Sequence, residues 1–570
     1  MNSRQAVEDE PGIKQDGLEE IHFDHMDVED AIDQLSMHAA PGPDGIPAIR
    51  LITAKAPIAR MLNGLFQKSY AFSDVPDDMK LAFITPIHKG GSKTEPANFR
   101  PVSLTNHVIK TFERVIRKKM VNYLENNEKM DSNQHGSRSG RSTLSQLLEQ
   151  QDELLEMLEI GGNADMIYLD FAKAFDKCDH GILLQKMKLL GIKGRLGKWV
   201  YSFLNNRKQQ VVVRGFKSGT STVISGVPQG SVLGPILFLI YILDIGTNIE
   251  TNMKIYVDDS KTKSKIETED DVEKLQQNLD QLYIWGDKNN MKFNNTKFLV
   301  LRFGPNEKLK EETSYFTEDM ANIIEQVNYT RDLGITVSDD AKFDQHIDNL
   351  CKKVKQRSGW VLRTFCTRSE HFMKTIFKSL IQPHIDYCSQ LWMPQQGQKL
   401  EKLERLLKSW TSRIPDVRNL NYWERLEKLK MYSEQRRLER YIVIYTWKVL
   451  QGFVPNPGIK EAMKNEYLGR RCELPKINHK ARKAIQTLKE NSFQTNGPNL
   501  FNSLPKHKRN MKKCKLEEFK SKLDKYLQLL PDQPKIDDLA PWGQDREGKP
   551  SNSILYQVAR EPAGRGPGRA

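Results

Sequence analysis

Two short apolar runs constrain what this chain can fold into, because each ends in carboxylates. Met166-Ile-Tyr-Leu-Asp170 reads as a buried β-strand with an ionic last residue, and Ile255-Tyr-Val-Asp258-Asp259 as a second strand that stops at a tight turn bearing two more. Carboxylates at strand ends can converge. Converging Asp oxygens suit a hard ion such as Mg²⁺, which keeps waters and binds through a few carboxylates plus substrate phosphates. Two such ions, about 3.5–4 Å apart, can polarise an attacking hydroxyl and stabilise a leaving group in an in-line displacement. An isolated Asp-Asp more often does no more than make a turn, so position alone does not decide between these readings.

The surrounding pattern mixes strands and helices. Residues 61–70 repeat apolar side chains at helical spacing, 81–87 read as a strand, and 108–127 and 143–160 as amphipathic helices. Between those helices, QHGSRSGRST at 134–143 is expected to be a linker, too basic for the core. Strands follow at 166–171, 210–214, 255–257 and 298–303, and beyond Gly334 the chain becomes helical and basic through 346–365, 371–385, 399–414 and 434–450. Residues 1–36 are acidic and read as a tail or truncated connector. From about residue 543 the Gly-, Pro- and Arg-rich end cannot bury apolar surface and is expected to be disordered.

At 570 residues the chain suggests about three or four compact units. Hydrophobic residues are 38% and charged residues 28%, a globular balance that excludes wholesale disorder and a fibrous repeat. Lys plus Arg number 87 against 73 Asp plus Glu, and the net charge of +14 favours a polyanionic partner such as nucleic acid. Six scattered cysteines without a Cys-x-x-Cys pair argue against a disulfide framework or zinc finger and for a reducing compartment, nuclear or cytoplasmic. The longest apolar run, 232–243, is broken by Gly234-Pro235 and falls short of the roughly 20 residues that span a bilayer, so no membrane partner is expected.

The order of motifs decides what position alone does not. DFAKAFD at 170–176, SGVPQGSVLGP at 225–235 and YVDD at 256–259 closely resemble, in that order, the palm of a reverse transcriptase. With PGPDGI at 41–46, PIHKGG at 86–91, NFRPVSL at 98–104 and QHGSRSGRST at 134–143, the chain resembles the polymerase of a non-LTR retrotransposon of the jockey or CR1 kind. The resemblance is strong over 40–345 and weak over 346–545. It implies an α/β right-hand polymerase, with fingers and palm at 37–345, a helical thumb at 346–420 and a helical C-terminal domain at 421–542. The implied activity is RNA-directed DNA polymerisation, a nucleotidyl transfer. The implied ligands are Mg²⁺, with Mn²⁺ as an alternative, an RNA template, a DNA primer and dNTPs. Complete elements carry a strand-nicking domain before the polymerase, so an endonuclease supplied elsewhere is a further implied partner.

Carried over residue by residue, the resemblance makes Asp170 and Asp258 metal ligands and Asp259 the third catalytic carboxylate. Phe175 would lie under the sugar and exclude a 2′-hydroxyl. Gln229 would contact the incoming nucleotide, Lys89 and Arg100 would neutralise its triphosphate, and Lys297 would protonate the leaving pyrophosphate. Leu333 and Gly334 would form the primer-grip turn. Each has an ordinary alternative: a core ring for Phe175, solvated charges for Lys89, Arg100 and Lys297, and a strand end for Gly334. Val257 stands where this lineage most often has alanine, and Ser137 and Ser139 where it often has Phe and Pro. Two other readings stay open, an inactive or domesticated RNA-binding descendant of such an enzyme and a maturase-like splicing factor. Lys352-Lys353, Arg470-Arg471 and 506–515 either track a phosphate backbone or form solvated helix faces.

Overall fold

A central strand, buried along nearly its whole length and covered on both faces, organises the first half of the chain. The computed structural model describes residues 17–159, 162–318, 322–394, 397–459, 474, 483–509, 511, 514–533 and 553–555. Numbering strands in chain order, Leu81–His88 (β1), Phe99–Leu104 (β2), Lys208–Val213 (β4), Phe216–Lys217 (β5) and Ser221–Thr222 (β6) form one sheet. Its order is β2-β1-β4-β5, with β6 on β4. Asn163–Leu169 (β3), Asn252–Tyr256 (β7), Asp259–Ile266 (β8), Leu299–Phe303 (β9) and Glu325–Gln326 (β10) form a second sheet, ordered β10-β9-β3-β8-β7. Tyr329–Asp332 (β11) and Ile335–Ser338 (β12) form a separate hairpin.

β3 runs antiparallel to both β8 and β9. Ile167 and Leu169 join the largest apolar core with Met253, Ile255 and Val300, while Ala164 and Met166 face a smaller cluster with Leu154, Leu158, Leu301 and Phe303. Covering on both faces explains why the run reads as continuously apolar. Its one buried carboxylate, Asp165, lies opposite Arg302 on β9, accepts from Arg302 Nε at 3.0 Å and from the Tyr315 hydroxyl at 2.7 Å, and so keeps its charge-assisted bonds inside the core.

The helix Thr143–Leu158 begins in a capping box made by Ser142 and Ser145. Glu149 and Glu153, one turn apart, reach Lys254 on β7 at 3.2 and 3.0 Å, and Glu153 also pairs with Lys263 on β8. The sheet therefore carries lysines that are buried but paired, a pattern that composition cannot distinguish from a solvated face.

Beyond β12 the chain is helical. Asp344–Thr364, Gly397–Thr411 and Glu434–Leu450 match the expected helices to within a few residues. Glu370–Ile376 passes through a π-helical turn, Phe377–Ile381, into Gln382–Asp386. The turn precedes Pro383, whose missing N–H interrupts the α-helical ladder. Trp392, Trp410 and Trp447 are buried in this core, and the partly buried Trp423 packs against it. Among the described residues no helix is long and apolar enough to cross a membrane.

Three expectations change. Residues 17–36 are not a tail: Asp24 caps the helix His25–Asp33, Val28 and Ile32 are fully buried, and Ile21 N donates to the Tyr70 hydroxyl at 2.9 Å. Most of the acidic residues that dominate the composition face solvent, while a sparse apolar stripe does the packing. The boundary near 345 is crossed by packing, since Leu147, Leu148 and Ile335 belong to the helical core. Within the expected disordered end only 553–555 are described, and there Ile554 is buried and its N–H donates to Glu439 Oε2 at 2.8 Å. Arg470 and Arg471 lie outside the described residues.

Candidate active site

β7 and β8 form a hairpin in which Tyr256 pairs with Asp259, leaving Val257 and Asp258 as a two-residue turn. Val257 has φ 60°, a conformation that Gly or Asn adopts readily and a β-branched residue does not. On the neighbouring strand Leu169 pairs with Ser260, which carries Asp170 to the same end of the sheet as Asp258 and Asp259. The three carboxylates feel one another. Burial raises the Asp258 carboxyl above its ordinary range, the Asp170 charge adds to this, and Arg100 and Lys89 oppose it. Burial and then repulsion from Asp258, Asp170 and Asp332 push Asp259 to about 6, with Lys261 opposing.

Lys297 follows in the turn Asn295–Lys297, and its Nζ lies 2.7 Å from Asp170 Oδ2. The Asn294 N–H donates to the Asp170 carbonyl at 2.8 Å, so the backbone ties the two segments together. Because the lysine is largely exposed, the ion pair itself contributes little to stability.

The 225–235 loop is wedged between the Asp170 segment and β2. Val227 N–H donates to the Phe175 carbonyl at 2.8 Å, Ser103 N–H to the Gln229 carbonyl at 2.7 Å, and Gln229 Nε2 to Asp176 Oδ1 at 3.0 Å. The fully buried Glu113 accepts from Val232 N and Leu233 N at 2.6 and 2.9 Å and fixes the loop's far end. Gly230 has φ 117°, and a Cβ there would lie 2.4 Å from the Ser103 carbonyl oxygen, so this approach requires glycine. Phe175 is half-buried with its ring stacked on Phe238 at 4.6 Å, so one side is core and the other stays open.

Lys89 and Arg100 sit at the loop end of the β1–β2 pair, both exposed; Lys89 N–H donates to the Asn98 carbonyl at 2.8 Å, and Arg100 is in register with Ile87. Leu333 and Gly334 form the two-residue turn of the β11–β12 hairpin, with φ 45° and 91°. Tyr387, from the helical half, donates its hydroxyl to the Leu333 carbonyl at 2.7 Å.

Several contributors carry no local signal in the sequence. Tyr387 lies 54 positions from its partner. Lys261 Nζ contacts both Asp332 oxygens at 2.7 and 2.6 Å beneath the Leu333-Gly334 turn, where Gln150 donates to Asp332 Oδ2 at 3.0 Å. The linker reading of 134–143 fails at its start: Gln134, His135 and Gly136 are buried, because Gln134 bridges to Ile255 and the segment continues the sheet at β7. Ser137 and Ser139 are exposed, as polar residues there should be.

Among the described residues no three His, Cys, Asp or Glu side chains are gathered tightly enough to form a ready metal cage. The chemistry of the donor set nonetheless fits a hard cation. Its ligands would be Asp oxygens whose mutual repulsion the nearby Arg100, Lys89 and Lys261 only partly offset, and the Lys297 ammonium already sits on Asp170.

Residues 87–337 match the family model described as reverse transcriptase (RNA-dependent DNA polymerase). The chain is similar to the RNA-directed DNA polymerase from mobile element jockey of Drosophila melanogaster, 29% identical over 407 residues, 68% of this chain and 43% of the relative. A relative from transposon X-element of the same organism is 26% identical over 385 residues, 65% of this chain and 41% of the relative. The chain thus spans about two-fifths of the length of these curated relatives. Among solved structures, an apo telomerase from Candida tropicalis truncated from its C-terminal domain is 13% identical, with a TM-score of 0.34, covering 50% of this chain and 59% of that one.

Proposed function

Taking residues 87–337 as a reverse transcriptase domain of the jockey-like non-LTR retrotransposon kind, we propose that this chain is an RNA-directed DNA polymerase that extends a primer 3′-hydroxyl with dNTPs on an RNA template. The observation that carries this reading is the meeting of Asp170, Asp258 and Asp259 at one sheet end, within the field of Lys89 and Arg100. In this reading the sheet holding the carboxylates is the palm, the β1–β2 pair belongs to the fingers, and helices after β12 form a thumb and a C-terminal domain. Divalent metal, Mg²⁺ or Mn²⁺, bound by the three Asp residues would supply charge stabilisation for in-line phosphoryl transfer.

The chain's own groups divide the remaining work. Lys89 as a point charge and Arg100 as a two-oxygen fork neutralise the triphosphate. Gln229, tethered through Asp176, faces the nucleotide, and Lys297, which now neutralises Asp170, donates a proton to the leaving pyrophosphate. Leu333 and Gly334, steadied by Tyr387, hold the primer end. The endonuclease that such an element requires is a further proposed partner.

Primer extension on poly(rA) annealed to oligo(dT), with Mg²⁺, tests the reading. DNA products support it, and tight RNA binding without products would favour the inactive RNA-binding descendant. Phe175→Ala is expected to admit ribonucleotides with only a modest loss of dNTP use, because the open side of the ring fills the space a 2′-hydroxyl needs. Unchanged sugar discrimination would leave Phe175 as a core ring alone.

The raised Asp259 carboxyl gives a pH dependence with a definite sign. Its folded-state value of about 6 lies above the ordinary one, so its protonated form is favoured and its stabilising effect without metal is lost as pH rises through 6. A proton and a divalent cation compete for the same oxygens. The Mg²⁺ concentration for half-maximal extension should therefore rise as pH falls from 7 to 5, and in metal-free buffer the melting temperature should fall slightly as pH rises through 6. A half-saturating Mg²⁺ concentration that ignores pH would remove Asp259 from the metal site.

A further inference from the structure

We propose that Gln134 is a positioning residue for the carboxylate hairpin: its side-chain carbonyl holds Val257 in the left-handed conformation that directs Asp258. The inference rests on the polymerase reading above. Gln134 Oε1 accepts from Val257 N at 3.1 Å and from Gly136 N at 2.7 Å. Both partners are N–H donors, so the atom facing them has to be the carbonyl oxygen, and the amide's orientation is fixed by its contacts. Gln134 is 3% exposed, so no water can replace it cheaply.

The surrounding contacts give the carboxamide a rigid base. His135 N–H donates to the Ile255 carbonyl at 3.0 Å and Ile255 N–H to the Asn133 carbonyl at 3.1 Å, so the segment pairs with β7 just before the turn. The buried His135 ring spans Ser145 Oγ at 3.0 Å and Glu149 Oε2 at 2.8 Å, which anchors the segment to the helix Thr143–Leu158. A Cβ on Gly136 would lie 2.5 Å from Val257 Cγ2 and 2.7 Å from Val257 N, so glycine is what lets the two backbones meet. A β-branched residue at φ 60° persists only where neighbours over-determine it. Here the neighbours are Gln134 and Gly136. Without the acceptor, the Val257 N–H is orphaned and the turn can relax, which swings the Asp258 carboxylate away from Asp170.

The test uses the full chain in four forms: wild type, Gln134→Leu, Val257→Gly and the double variant. Gln134→Leu should lower kcat about 10- to 100-fold with the dNTP KM within about threefold, since an orphaned buried N–H and a released strained turn act on geometry and not on uniform binding. Hydrogen exchange at the Val257 amide should accelerate while amides of β3 keep their protection. Glycine adopts the left-handed turn without help, so the double variant should recover at least about tenfold of the lost kcat. Should Gln134→Leu fail to fold, Gln134→Asn, whose amide is one methylene too short to reach both N–H groups, takes its place in the same comparison. A wild-type chain that does not extend primers would overturn the polymerase reading. A wild type that extends, beside a Gln134 variant with wild-type kcat and unchanged Val257 exchange or a defect that Val257→Gly does not relieve, would overturn this inference alone.

Discussion

Asp258→Asn is expected to abolish primer extension, a loss of about 10²- to 10³-fold or more, while leaving primer–template affinity nearly intact. The substitution keeps the shape of the turn but removes the charge that faces Asp170 and Asp259. In the polymerase reading, affinity for the duplex would come from basic side chains on phosphates, which the substitution does not touch. Removing one of three repelling charges has a second consequence: the Asp259 carboxyl should drop from about 6 toward its ordinary range, and the metal-free protein should melt no lower than wild type. Extension kinetics, a filter-binding titration and a thermal melt separate these outcomes. Near-wild-type extension would remove the metal assignment, and loss of affinity in step with activity would show that the turn shapes the duplex site instead.

The largest stability effect is expected at Asp332. Its carboxylate and the Lys261 ammonium are 5% and 6% exposed at 2.6 Å, so Asp332→Ala leaves a buried charge without its counter-ion and should cost about 3–5 kcal/mol. Replacing both partners by apolar residues of similar size, Lys261→Met with Asp332→Leu, should return most of that stability, because the pair's desolvation cost disappears together with its attraction. Urea denaturation followed by tryptophan fluorescence checks both variants. A loss below about 1 kcal/mol for Asp332→Ala would mean that the pair is solvated in practice. Activity adds a distinct readout: Asp332 lies directly before the Leu333-Gly334 turn, so the double variant should fold well yet still extend primers less processively if the ion pair also sets the turn's position.

Legibility in the sequence followed the range of the interaction concerned. The strand ends at Asp170 and at Val257-Asp258 and the helices from Asp344 onward were readable because periodicity or a short apolar run records them within a few neighbouring residues, and the Leu333-Gly334 turn came only with the motif resemblance. The burial of residues 17–36 was not, because charged residues outnumber the apolar stripe, and only a partner surface that includes Phe66 and Phe112 shows which face matters. Gln134 looked like part of a basic linker, since nothing local announces that its carbonyl meets an amide 123 positions away.

What the sequence by itself determined, then, is a part of the elements, the order of the motifs and the chemical type of the groups at the strand ends. These follow from side-chain period and turn chemistry, which act over a few residues. Tertiary structure alone decided which ends meet. Antiparallel pairing of β3 with β8 brings Asp170 beside Asp259, the edge pairing of Gln134 with Ile255 secures the turn, and Tyr387 reaches across to Leu333. Strand register and helix packing select those partners across tens to hundreds of residues, and a carboxylate at a strand end has the same local sequence whether or not another carboxylate faces it.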